Sequence, residues 1–127
     1  MTPLNVLVVD DSMVATQLLK RALEELGHKV VRTAKSGAEA ISAYGECNPD
    51  LVTMDLTMPD MDGLEATRRI THAYADAHVV MVSSHAQSSM VMDALKAGAK
   101  GYILKPFKTD RLRAAITRAM APSLQAS

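Results

Sequence analysis

The sequence predicts an α/β fold: a five-stranded parallel sheet in one doubly wound domain, with helices on both faces. Two observations predict it. Five short apolar runs, Val6-Leu7-Val8-Val9, Val30-Val31, Leu51-Val52-Thr53-Met54, Val79-Val80-Met81-Val82 and Tyr102-Ile103-Leu104, are each followed by a segment of helical periodicity. Most of these runs are continuous rather than alternating, the pattern of strands covered on both faces. Strict strand-helix alternation then implies right-handed crossovers and a parallel sheet.

Each element carries its own boundary signals. After the first strand, Ser12 can cap a helix whose apolar stripe reads Ala15, Leu18, Leu19, Ala22, Leu23 and Leu26, and Gly27 stops it. Beyond the second strand, Ser36 and Glu39 form a capping box for a helix carrying Ala40, Ile41 and Tyr44, which ends near Asn48-Pro49. The third strand leads through Met58-Pro59 and Asp62-Gly63 into a helix from about Leu64 to Ala75. Ala66, Ile70, Ala73 and Tyr74 are its expected inward residues, and Arg68 and Arg69 face out. A fourth helix, with Val91, Ala94 and Leu95 inward, runs to Gly98. The last begins near Thr109 and buries Leu112, Ile116 and Ala119. The expected ordered core is residues 4–120, and the tail 121–127 reads as frayed.

Composition excludes several classes. At 127 residues there is room for one domain. Fourteen basic residues balance 14 acidic ones, which argues against direct nucleic-acid binding. No signal-like or membrane-length apolar segment is present, so a cytoplasmic protein without membrane contact is expected. The single cysteine, Cys47, fits a reducing compartment and reads as a buried thiol rather than a nucleophile. With one Phe, three Tyr and no Trp, the core must be aliphatic, helped by nine Met. His28, His72 and His78 form no metal-ligand spacing and read as surface or strand-edge residues.

Chemistry concentrates where the strands end. Asp10 and Asp11 terminate the first, Asp55 the third, Ser83 the fourth and Lys105 the fifth, and in a parallel sheet these ends share the edge at which ligands bind. Taken singly, each has an ordinary reading as a cap or turn residue. Their coincidence on strand ends favours a site. Three carboxylates crowded together require a cation, and Mg²⁺ suits them because it accepts one or two carboxylates while keeping several waters. With Lys105 offsetting further charge, one Asp is free to attack phosphorus and form an aspartyl phosphate, to which Ser83 can donate a hydrogen bond.

Val8-Val9-Asp10-Asp11-Ser12, the segment Asp55-Leu56-Thr57-Met58-Pro59-Asp60-Met61-Asp62-Gly63, Val82-Ser83 and Lys105-Pro106-Phe107 together resemble the signature of bacterial response-regulator receiver domains, over about residues 4–120. The resemblance implies a flavodoxin-like (βα)5 sandwich with strand order 2-1-3-4-5. It implies Asp55 as phosphoacceptor from a sensor histidine kinase, with Mg²⁺ held directly by Asp11, Asp55 and the backbone carbonyl of Thr57 and by Asp10 chiefly through water. Lys105 would pair with Asp55 or its phosphate, and the Lys105-Pro106 bond would be cis. Ser83 and Tyr102 match the two switch positions, where a hydroxyl moves onto the phosphoryl group and an aromatic ring turns inward. Thr57 and His85 match variable positions that tune phosphate lifetime. Neither is an acid or amide, so no fast self-dephosphorylation is expected.

The same resemblance implies an output face on the fourth helix, fifth strand and fifth helix, where Met90, Val91, Tyr102, Lys108 and Arg111 would receive a downstream protein. The motifs look most similar to stand-alone chemotaxis regulators, for which a flagellar motor switch is one such target, and a monomer is expected before phosphorylation. The chain is thus expected to be a switch catalysing only its own phosphorylation and dephosphorylation. A receiver cut from a larger regulator is the first alternative. A Mg²⁺-dependent phosphatase is the second, but it would want an acid where Thr57 stands. A flavodoxin-like cofactor binder is third, and no Gly-rich phosphate loop follows the first strand.

Overall fold

A computed structural model describes residues 2–85 and 87–121. The expected frayed tail, apart from Ala121, lies outside the described residues. The chain alternates strictly: β1 (Asn5–Val9), α1 (Met13–Glu25), β2 (Lys29–Ala34), α2 (Gly37–Cys47), β3 (Leu51–Asp55), α3 (Gly63–Ala73), β4 (Val79–Ser83), α4 (Ser88–Lys96), β5 (Gly101–Leu104) and α5 (Thr109–Met120). All strand pairs are parallel, in the order β2-β1-β3-β4-β5. The order reverses between β1 and β3, which opens a crevice at their carboxyl ends.

The runs of the three central strands, β1, β3 and β4, are continuous because both faces of the sheet are covered there, whereas the edge strands β2 and β5 are only half-buried. Along β1, Leu7 and Val9 join Val52, Met54, Ile70, Met81 and Ala94 in the core under α2, α3 and α4. Val6 and Val8 join Leu19, Leu23, Val80, Val82, Leu112 and Ile116 under α1 and α5. Ser12, Ser36 and Asp62 cap α1, α2 and α3, each accepting from the backbone N–H three residues on.

Several inward assignments fail at helix margins. Leu18 is 60% exposed and Leu95 48%, and Ala73 and Tyr74 also face solvent. Leu18 sits one turn after exposed Val14 on the same flank of α1, because α1 has more apolar residues than one stripe needs. Tyr74 ends α3 and leans on Tyr44, with ring centroids 4.6 Å apart. Cys47 is half-buried rather than buried. His28, expected at the surface or a strand edge, lies just before the edge strand β2 but is buried. Its Nδ1 accepts from the Leu4 N–H at 3.1 Å and its Nε2 has no partner. Among the described residues, no helix is long and apolar enough to cross a membrane.

Candidate functional site

Asp55 is the last residue of β3 and Ser83 the last of β4, while Asp10 and Lys105 each follow directly on β1 and β5. The parallel register carries these ends to one edge. Asp55 pairs with Val82 and Ser83 with Leu104, so the neighbouring strand ends advance together. One carboxylate oxygen from each of Asp10, Asp11 and Asp55 lies within 4.8 Å of the others. Asp10 and Asp55 are buried, whereas Asp11 is exposed and leaves the cluster open to water.

Lys105 binds both buried acids, and the nearer is not the one expected. Its Nζ donates to Asp10 Oδ2 at 2.6 Å and to Asp55 Oδ1 at 3.3 Å. Asp10 is therefore fully engaged, because its Oδ1 also accepts from the Ser12 N–H at 2.9 Å. Asp55 is less well compensated. Burial raises its carboxyl above the ordinary 3.8, Asp10 adds to the rise, and Lys105 offsets only part of it. For Lys105, burial opposes the charge, but the bond to Asp10 and the fields of both acids outweigh it and hold the ammonium above its ordinary value. The Lys105-Pro106 bond is cis.

A glycine sets how close α3 comes to Asp55. A Cβ on Gly63 would lie 2.1 Å from the Asp55 carbonyl oxygen, and the Gly63 N–H donates to Leu56 O at 2.8 Å. Read in the sequence as helix-start punctuation, Gly63 here positions the acid. Before it, Asp60 adopts φ 70°, and the Met61 N–H reaches back to Pro59 O at 2.9 Å.

On the other side of Asp55, Thr57 Oγ1 and His85 Nε2 are 3.1 Å apart, joining the loops after β3 and β4. The His85 N–H donates to Ser83 Oγ at 3.0 Å, and the half-buried Tyr102 donates its hydroxyl to the His85 carbonyl at 2.7 Å. Ser83, His85 and Tyr102 thus form one chain of hydrogen bonds. Met90 and Val91 are half-buried, and Lys108 and Arg111 are exposed. Met92, Leu95 and Leu104 are the exposed apolar residues on α4 and β5 among the described residues; none was placed on the output face from the sequence, and Leu95 was expected inward. A groove of about 450 Å³ runs from Asp10 and Lys105 along Leu18, Leu19, Val82 and Phe107. Its signal was the surplus of apolar residues in α1.

The donors fit a hard divalent cation. They are oxygens only, converge from three carboxylates, and stay open to water on the Asp11 side.

Fold and site together define a doubly wound α/β domain with an acidic, cation-competent pocket at its strand ends. The response regulator receiver domain family matches residues 6–117. The chain is 45% identical to chemotaxis protein CheY of Bacillus subtilis over 115 residues, covering 91% of this chain and 96% of that protein. CheY of Thermotoga maritima is 40% identical over 113 residues, with coverage of 89% and 94%. The solved CheX-CheY-BeF3-Mg+2 complex from Borrelia burgdorferi superposes with a TM-score of 0.90 at 34% identity, covering 94% of this chain and 91% of that one. The chain belongs to the response regulator receiver domain family, as a CheY-like two-component signalling switch.

Proposed function

We propose that the chain is switched by phosphorylation of Asp55, taking its phosphoryl group from the phosphohistidine of a sensor kinase. The observation that carries this is the convergence of the Asp10, Asp11 and Asp55 carboxylates within 4.8 Å, with Lys105 between the two buried ones. An Asp55 oxygen attacks phosphorus, the phosphorus–nitrogen bond breaks, and the imidazole leaves. Lys105, already shared between Asp10 and Asp55, can turn its ammonium to the incoming phosphoryl oxygens. Asp11, Asp55 and the Thr57 carbonyl are the direct ligands we assign to Mg²⁺, with Asp10, already bonded to Lys105 and the Ser12 N–H, holding it chiefly through water. When bound, the ion neutralises charge on the phosphoryl oxygens. The BeF3 and Mg of the Borrelia CheY complex support this assignment.

Ser83 then donates to the phosphoryl group, and its link through His85 to Tyr102 carries the change to α4, β5 and α5. On that face Met90, Val91, Tyr102, Lys108 and Arg111, joined by exposed Met92, Leu95 and Leu104, suit an acidic amphipathic segment of a downstream protein. The CheY names of the relatives point to chemotaxis as the setting. Exposed Met13, Val14 and Leu18 lie on α1 beside the acids and suit contact with the phosphodonor.

A second reading, a receiver forming part of a larger regulator, is favoured by one relative. A protein-glutamate methylesterase of Hahella chejuensis is 44% identical over 105 residues that make up 30% of its length. The length of the natural reading frame separates the two.

Incubation with acetyl phosphate and Mg²⁺, read by intact mass, tests the reaction. One phosphoryl mass is expected on the wild type and none on Asp55→Asn. Equal labelling of both, or of neither, removes the proposal.

A further inference from the structure

The two ends of α4 are held very differently. Its N-cap, Gln87, makes no side-chain capping bond, and Ser88, Ser89 and Met92 face solvent. The other end is built in. Ala94, Ala97 and Ala99 are buried, the Ala99 N–H donates to Ala94 O at 3.0 Å, and the Lys100 N–H ties the following turn to Val79 O at 2.7 Å.

A single side chain of α3 grips this buried end. Thr71 Oγ1 lies 2.9 Å from the Ala97 carbonyl and 2.8 Å from the carbonyl of Thr67 in its own helix. The Ala97 oxygen is one of the carbonyls that a helix end leaves without an intrahelical donor. Gly98 makes the approach possible: with φ at +108°, a Cβ there would fall 2.5 Å from Thr71 Oγ1. A hydroxyl has one proton, so at any instant Thr71 donates either to Ala97 or to a carbonyl of its own helix, Thr67 or, at 3.3 Å, Arg68. The grip therefore has two states, one tying α3 to α4 and one internal to α3.

We propose that Thr71, seated in the notch at Gly98, is the fulcrum on which α4 turns, so that changes at Ser83 and Tyr102 move its N-terminal end while the Ala97 end stays fixed. The inference rests on Asp55 being the phosphoacceptor. Thr71 is a positioning residue, remote from the reacting atoms. The His85 hydrogen bonds to Ser83 and Tyr102 lie two residues before the N-cap, at the end of α4 opposite the fulcrum. A helix pinned at one end converts a small displacement at the other into rotation of its exposed face, which carries Met92 and Leu95.

Thr71→Val keeps the side-chain shape and deletes the bond, and Thr71→Ser keeps the hydroxyl. Amide exchange is measured first without phosphate or its analogue. In Thr71→Val the Ala97, Gly98 and Ala99 amides should exchange about five- to tenfold faster than in wild type, with Thr71→Ser close to wild type. Beryllofluoride with Mg²⁺ is then added, and amide chemical shifts are followed. Shifts at Ser83 should persist in Thr71→Val, while those along Met90–Met92 should fall by about half. Unchanged exchange together with unchanged shifts along α4 would overturn the fulcrum. Wild type that neither takes label from acetyl phosphate nor responds to beryllofluoride would instead overturn the phosphoacceptor reading, and the fulcrum with it.

Discussion

The two edges of the sheet use polar groups in opposite ways. At the amino edge they stitch strands together: the Asn5 N–H donates to Asp50 Oδ2 at 2.8 Å, the Leu4 N–H to His28 Nδ1, and the Val52 N–H to His78 O. At the carboxyl edge three carboxylates are held closer together than their charges favour, with one ammonium among them. A sheet of this kind has a stabilising end and a reactive end, and the second is assembled against local electrostatic preference.

The largest test of this contrast is steric. Gly63→Ala would normally favour a helix start, so any loss reports the close approach to Asp55. Urea unfolding should show a loss of about 2–3 kcal/mol, with Asp55 labelling by acetyl phosphate sharply reduced. A neutral result would mean that the loop after β3 yields easily, and that α3 does not position the acid.

A smaller effect of opposite sign is expected at Asp55 itself. Its native carboxyl titrates above 3.8, so stability is lost as pH rises from 3.8 to the raised native value, and the full penalty of ionised Asp55 is present above it. Asp55→Asn should therefore be more stable than wild type by about 1 kcal/mol at neutral pH. The gap should close as pH falls through the native value and past 3.8. A gap independent of pH would show that repulsion within the cluster is not its source.

The smallest effect belongs to the amino edge. Burial lowers the pKa of His28 below 6.5, so the stability its neutral ring contributes is complete above 6.5 and is lost as pH falls through the native value. Relative to His28→Phe, wild type should lose stability over that window, by less than the Asp55 effect, followed by urea midpoints at successive pH values. Parallel curves for the two proteins would mean that His28 stays neutral, or charges without penalty.

The sites were legible in the sequence to the extent that burial made them so. Asp10, Asp55 and Ser83 each end or follow an apolar run that only a doubly covered strand explains, and Lys105 follows the shorter run of the edge strand β5, so their place on one edge follows from the runs themselves. Helix faces were less legible. Leu18 and Leu95 satisfy a helical period yet face solvent, because α1 and α4 carry apolar residues beyond those the sheet can cover. The burial of His28 beside the edge strand β2 was illegible for the converse reason: nothing local signals that Leu4 will bring an N–H to its ring.

By itself the sequence determined five strands, five helices and the residues delivered to the strand ends, since periodicity and turn chemistry are local properties. Tertiary structure alone decided that Lys105 lies nearer Asp10 than Asp55, that Gly63 must lack a side chain against the Asp55 carbonyl, and that Thr71 reaches the end of α4. Each of these depends on a separation of a few tenths of an ångström between segments distant in the chain, which packing sets and no local pattern records.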